Sequence, residues 1–285
     1  MTRLFLAALG SLLLSGCQSA LFSVVNARQP SAGVVAHQDI VFDASHGLSL
    51  DVYTPPNTHK APVVVFLYGG SWKSGKRQWY RWVGEALAAK GIVTVVADYR
   101  QWPTVRLDGF MHDSAEAVRW AHDNAGEFGG DSAHLFVMGH SAGGHIAALL
   151  ATDARWLGAV GMKPRDLSGF IGLAGPYDFL PLTNDDFVDM FGHTAEQQAR
   201  SQPVNFVDGD EPPALLLQGE TDGTVKPSNA LSLQRRYAMH GEQVELKLYP
   251  HTGHMGVLFG LAAGKHKAPV LDDVVAFIRK QANVP

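Results

Sequence analysis

The chain has 285 residues, of which 46% are hydrophobic and 18% charged, enough for a sizeable core and far more apolar than a disordered chain. Its formal charge of -4, with no run of Lys and Arg, supplies no basic field and argues against a nucleic-acid partner. With a single cysteine, no internal disulfide can form, and stability must come from the core.

Arg3 precedes an apolar run from Leu4 to Leu14. That is the length of a signal-peptide core, and it falls short of the roughly 20 residues that a spanning helix needs. Ser15 and Gly16 then lead into Cys17, and Leu14-Ser15-Gly16-Cys17 resembles a bacterial lipobox, whose cysteine is lipidated and becomes the mature N-terminus. The resemblance implies a signal peptide over 1–16 and a lipid anchor on Cys17 holding the protein to a membrane. Gln18 in the following position fits sorting to the outer membrane, facing the periplasm. Residues 17–36, mixing Ser, Gln, Asn, Pro and Gly, are expected to be a tether, followed by one domain over 37–285. No later segment reaches transmembrane length.

In chain order, His37–Phe42 and Leu48–Tyr53 are short β-prone runs across a turn-rich Asp43–Gly47 and predict an antiparallel hairpin. Continuous apolar runs follow at Val63–Leu67, Ile92–Val96, Leu135–Met138, Phe170–Leu173 and Ala214–Leu217, and a β-prone run spans Val244–Tyr249. Strands covered by helices on both faces read this way. Helices are predicted over Tyr80–Lys90, Phe110–Ala125, Gly144–Thr152, Ser228–His240 and Val270–Gln281, with Gly91 and Gly241 just past two of their ends. The alternation predicts an α/β fold with a mostly parallel, eight-stranded sheet and helices on both faces. Pro181–Pro213 breaks the rhythm. It is too short for a large cap domain and long enough to wall a pocket.

Gly139-His140-Ser141-Ala142-Gly143 matches G-x-S-x-G, a weak signal by itself. Here a β-prone run ends just before it and a helix-forming run begins just after. Ser141 is thereby placed on a tight strand-to-helix turn that lifts its hydroxyl above the sheet, as a nucleophile requires. The negative oxygen of a tetrahedral intermediate needs N–H donors worth roughly 3 kcal/mol each. Tyr68-Gly69-Gly70-Ser71-Trp72, directly after the Val63–Leu67 strand, can turn its amides that way. Gly70 and Ala142 are the expected donors, with Gly69 and Ser71 as alternatives.

An orienting acid and a base should follow in that order. Asp222 lies in the loop after the Ala214–Leu217 strand, with Glu220 as its rival. His254 lies in the loop after Val244–Tyr249, flanked by Gly253 and Gly256, with His251 as its rival. Trp72, Phe187 and Met255 are expected to line the acyl pocket. Despite 13 histidines, no His pair at helical spacing sits beside a carboxylate, so neither metal nor other cofactor is expected.

Together with Asp98-Tyr99-Arg100, Phe128-Gly129-Gly130-Asp131 and Gly175-Pro176-Tyr177-Asp178, these motifs make residues from about His37 onward resemble the α/β-hydrolase superfamily. Within it, the chain resembles the carboxylesterase, feruloyl-esterase-like and kynurenine-formamidase-like branch related to hormone-sensitive lipase, in its forms without a large cap. The resemblance implies hydrolysis of small or medium acyl or aryl esters through an acyl-enzyme, with an arylformamidase or amidase as the alternative. A non-catalytic envelope binding protein of the same fold is the alternative from outside the enzymes. One departure is Tyr68, where the family carries a histidine that braces the oxyanion loop.

Overall fold

The structure, a computed structural model, describes residues 19–264 and 266–284. Strands β1 (Val35–Asp43) and β2 (Leu48–Thr54) form the predicted antiparallel hairpin, and β2 joins β4 (Val93–Ala97), also antiparallel. The remaining strands are β3 (Ala61–Leu67), β5 (Gly130–His140), β6 (Gly169–Leu173), β7 (Ala214–Gly219) and β8 (Val244–Tyr249). The sheet order is β1-β2-β4-β3-β5-β6-β7-β8, parallel from β4 to β8. This is the eight-stranded, mostly parallel sheet of an α/β-hydrolase fold.

The helices are α1 (residues 19–28), α2 (Arg81–Ala88), α3 (Leu107–Asn124), α4 (Ala142–Thr152), α5 (Ala154–Ala159), α6 (Asp185–Phe191), α7 (Ala195–Ala199), α8 (Ser228–Met239), α9 (His254–Phe259) and α10 (Val270–Ala282). Helices α2 and α10 meet on one face of the sheet, while α3, α4 and α5 pack together on the other, where α8 extends the layer. Their sequences follow from these positions. In α10, Val270, Val274, Phe277 and Ile278 are buried at helical spacing, with Asp272 and Asp273 in the first turn and Arg279 and Lys280 in the last. Helix α4 is buried along its whole length and has no polar face, as befits a helix enclosed between the sheet and its neighbours. Every residue of β3, β4, β6 and β7 is buried. Each Val or Leu so placed is worth about 1.5–3 kcal/mol relative to exposure. Residues 181–213 contribute only α6, α7 and one 3-10 turn.

One expectation needs correction. Residues 17–36 do not read as a tether through their described part, because residues 19–28 are helical and dock on the body. Phe22 is 4% exposed and stacks on Trp79, with Tyr80 and Phe259 beside it. The Asn26 side chain accepts from the Trp82 amide and donates to the Gln78 carbonyl, and Gln29 accepts from the Ala263 amide. The composition that reads as a linker conceals one aromatic anchor and two bridging amides. Cys17 and residues 1–16 lie outside the described residues.

A polar cluster interrupts the apolar core beside β2. Asp51, 1% exposed, accepts from Arg77 Nε at 2.9 Å, and the same guanidinium also meets Asp98 and Asp39. Breaking a buried pair by removing one partner strands the other charge, at a cost of about 3–5 kcal/mol. Arg77→Ala should therefore lower the urea midpoint by that equivalent with little change in m. A midpoint within about 1 kcal/mol of the unmodified protein would show that solvent reaches Asp51.

Candidate active site

The parallel strands gather the candidate residues at their carboxyl edge, where ligands bind in open α/β sheets. Ser141 follows β5, Asp222 follows β7, His254 opens α9 after β8, and the Tyr68–Trp72 loop follows β3. Ser141 has φ 55 and ψ -120, a sparsely populated conformation costing about 1–3 kcal/mol. The surroundings enforce it. A Cβ on Gly139 would lie 2.1 Å from the Gly143 carbonyl oxygen, and one on Gly143 would lie 2.0 Å from that of Leu67. Only glycine at both positions lets strand, helix and neighbouring strand converge beneath the serine.

His254 Nε2 lies 2.9 Å from Ser141 Oγ, and His254 Nδ1 lies 2.8 Å from Asp222 Oδ2. An ionised Asp222 can only accept, so Nδ1 carries the proton and Nε2 is free to accept from the serine. Asp222 is 4% exposed. Burial alone would push its carboxyl up, but the hydrogen bond from His254 and those from the Val225 and Thr224 amides hold it below the usual carboxylate value. Gln218 donates a further bond to Oδ2 at 3.0 Å. Both rivals, Glu220 and His251, are exposed. His140 packs its ring 4.8 Å from that of His254 and donates to the His254 carbonyl at 3.4 Å. Burial, then the neighbouring His254, pushes its pKa down to about 3, so it stays neutral beside the triad.

The Gly69, Gly70, Ser71 and Ala142 amides have no hydrogen-bond acceptor among the described residues. Gly69, Gly70 and Ser71 line the space beside Ser141, and Ala142 is the first residue of α4, where amides lack intrahelical partners. The loop is braced without the family histidine. Tyr68 stacks on Tyr99 at 4.7 Å and on Tyr80 at 5.5 Å, its hydroxyl meets Asp98 at 3.3 Å, and Tyr99 donates to its carbonyl at 2.8 Å.

Two cavities open on Ser141. The larger, about 470 Å³, is lined by Trp72 and Phe187 with Phe179, Leu182 and Thr183, so part of the 181–213 stretch walls it. Met255, expected on the same wall, lines a separate cavity of about 170 Å³ instead. It sits one residue past His254, which lines the same smaller cavity. Trp72 is held at the centre of an aromatic group, edge-on to Phe191 at 4.9 Å and to Phe187 at 5.7 Å. Its Nε1 donates to His145 Nδ1 at 3.2 Å, a contact that sequence order hides across 73 residues. Outside this site, Asp43, His46 and Asp113 lie within 4.8 Å of one another. Arg100 already engages both carboxylate oxygens of Asp113, and Asp43 is taken by Ser45 and His46.

Since His145 Nδ1 accepts from Trp72, its Nε2 must carry the proton and donate to the Ser201 carbonyl at 2.7 Å. Burial pushes its pKa down to about 4, below the unfolded value of about 6.5. The unfolded chain therefore binds this proton first. The stability contributed is present above pH of about 6.5 and is lost as pH falls towards 4. His145→Gln should flatten the decline of stability between those limits by up to about 1.4 kcal/mol per pH unit, read from urea midpoints at several pH values. An unchanged slope would mean that His145 is not held neutral.

The family model described as BD-FAE matches residues 50–237. The isoprenylcysteine alpha-carbonyl methylesterase ICME of Arabidopsis thaliana is 26% identical over 99% of this chain and 70% of its own length. Esterase LipC of Mycobacterium tuberculosis is 30% identical over 78% of this chain, and the alignment covers 59% of its own length, less than two thirds of that relative. The crystal structure of esterase B from Lactobacillus rhamnosis shares the fold, with a TM-score of 0.80 at 21% identity over 97% of this chain and 95% of that one. The family match takes in the elbow, the oxyanion loop and the strand before Asp222, well over half of the molecule, and so the chain belongs to the BD-FAE family.

Proposed function

We propose that the protein hydrolyses carboxylic esters of small or medium acyl or aryl substrates through an acyl-enzyme on Ser141. The observation that carries this reading is the unbroken Ser141–His254–Asp222 hydrogen-bond chain at the mouth of the 470 Å³ cavity, a volume within the range of ligand sites. The esterase names of its relatives support the same class. His254 Nε2 takes the Ser141 proton as Oγ attacks the acyl carbon. The Gly70 and Ala142 amides, with Gly69 and Ser71 alongside, hold the resulting oxyanion. As the intermediate collapses, His254 returns the proton to the departing alkoxy oxygen and an alcohol leaves. Water, deprotonated by the same histidine, then releases the acid and restores the serine. Asp222 holds the tautomer and stabilises the imidazolium. No observation favours the formamidase or binding-protein alternatives over this reading.

We also propose that Cys17 carries the lipid implied by the lipobox-like Leu14–Cys17 segment, holding the enzyme at the periplasmic face of an outer membrane. Incorporation of labelled palmitate in a bacterial host should be lost in Cys17→Ala. Incorporation that persists would refute the anchor.

Ser141→Ala and His254→Ala should each lower kcat on p-nitrophenyl esters by about 10⁶-fold. Asp222→Asn, which permits the wrong tautomer, should cost about 10⁴-fold. A fluorophosphonate should label Ser141 in the unmodified protein and not in Ser141→Ala. Absence of labelling, or turnover of N-formylkynurenine but of no ester, would displace the reading.

A further inference from the structure

The two cavities beside Ser141 have only Ser71, Ser141 and Thr224 in common. His254 lines the smaller and not the larger. That difference assigns the two halves of an ester, given the hydrolase reading on which this inference rests. The leaving oxygen must come within hydrogen-bond reach of His254 Nε2, about 2.6–3.2 Å, to receive its proton. Its substituent therefore continues into the cavity that His254 lines. The acyl group stays bonded to Ser141 and occupies the other.

The smaller cavity is not closed by the hydrolase core alone. Besides Gly69, Gly70, Trp79 and Met255, its wall includes Phe22 from α1, the helix that precedes the sheet altogether. Phe22 is packed there, against Trp79 at 5.6 Å and Tyr80 at 5.0 Å, on a helix tied to the body through Asn26 and Gln29. The cavity so bounded is about 170 Å³, close to the roughly 150 Å³ that accepts a benzene ring. The acyl cavity is about 470 Å³.

We infer that Phe22 is a specificity-determining residue that limits the size of the leaving alcohol, so that the preferred substrates join a bulky acid to a small alcohol. A substituent that runs from His254 towards Phe22 must displace packed aromatic carbon, whereas the acyl side has room for a chain or a ring.

The test is a matrix of kcat/KM values on the full-length protein, read by acid release. Hexanoate esters of methanol, ethanol, butanol and octanol vary the alcohol, and methyl esters from acetate to decanoate vary the acid. The unmodified protein should lose about tenfold or more between butyl and octyl hexanoate, the discrimination that one or two misfitting methylenes can impose. Phe22→Ala should raise the octyl-to-methyl ratio by about tenfold and leave the acetate-to-decanoate profile within roughly twofold. Phe22→Trp should lower the butyl-to-methyl ratio. Leu21→Ala, on the exposed side of the same helix, should change neither series. If Phe22→Ala fails to fold, judged by loss of fluorophosphonate labelling, Phe22→Leu carries the same comparison with a smaller shift. A flat alcohol series in the unmodified protein, or a Phe22 variant that alters the acyl profile instead, overturns the assignment. A protein that cleaves no ester of either series refutes the hydrolase reading itself, a different result.

Discussion

The close approach of backbones under Ser141 is the constraint on which the rest of the site depends. Where β5 turns into α4, the Gly143 backbone passes so near the Leu67 carbonyl at the end of β3 that no Cβ fits between them. This contact fixes three things together: the strained φ and ψ of the serine, the start of α4, and the distance from the serine to the loop after β3. Nucleophile and oxyanion donors are thus set by one packing contact between the start of α4 and the end of β3. The histidine and aspartate need only reach the same edge from β8 and β7.

Around that point the structure keeps its buried carboxylate charged by giving it donors. Asp222 is surrounded by donors from His254, Gln218 and two amides, so its charge is retained despite burial. Asp98 serves the Tyr68 hydroxyl and the Arg77 guanidinium together, linking the oxyanion loop to the buried ion cluster at β2. The tyrosine stack of Tyr68, Tyr80 and Tyr99 does by area and π-contact what a histidine would do by hydrogen bonding alone. With Tyr68 in place of the family histidine, the loop is braced by ring packing and by the Asp98 contact.

Substrate shape is governed by elements outside the parallel core. Helix α6 and the segment before it wall the acyl side, and α1 walls the side of the catalytic histidine. Both walls reach the site through aromatic rings, Phe187 on one side and Phe22 on the other. The triad thus stands on the sheet edge, while the two cavity walls are built by segments outside the parallel core.

The sequence by itself determined the alternation of strands and helices, the hairpin at the start, and the candidate set Ser141, Asp222 and His254. These are legible because doubly covered strands must be continuously apolar, and because the elbow requires glycine at fixed offsets from the serine. Gly253 and Gly256 favoured His254 over His251, and only the structure adds that His251 is exposed. Tertiary structure alone decided where the walls stand. Met255 joined His254 on the smaller cavity, while Trp72 and Phe187 went to the larger. Helix α1 was illegible because its attachment depends on Phe22 finding Trp79 and on Asn26 finding the Trp82 amide, contacts across more than fifty residues. Local composition records which residues can make such contacts, and only the packed molecule specifies which partners they meet.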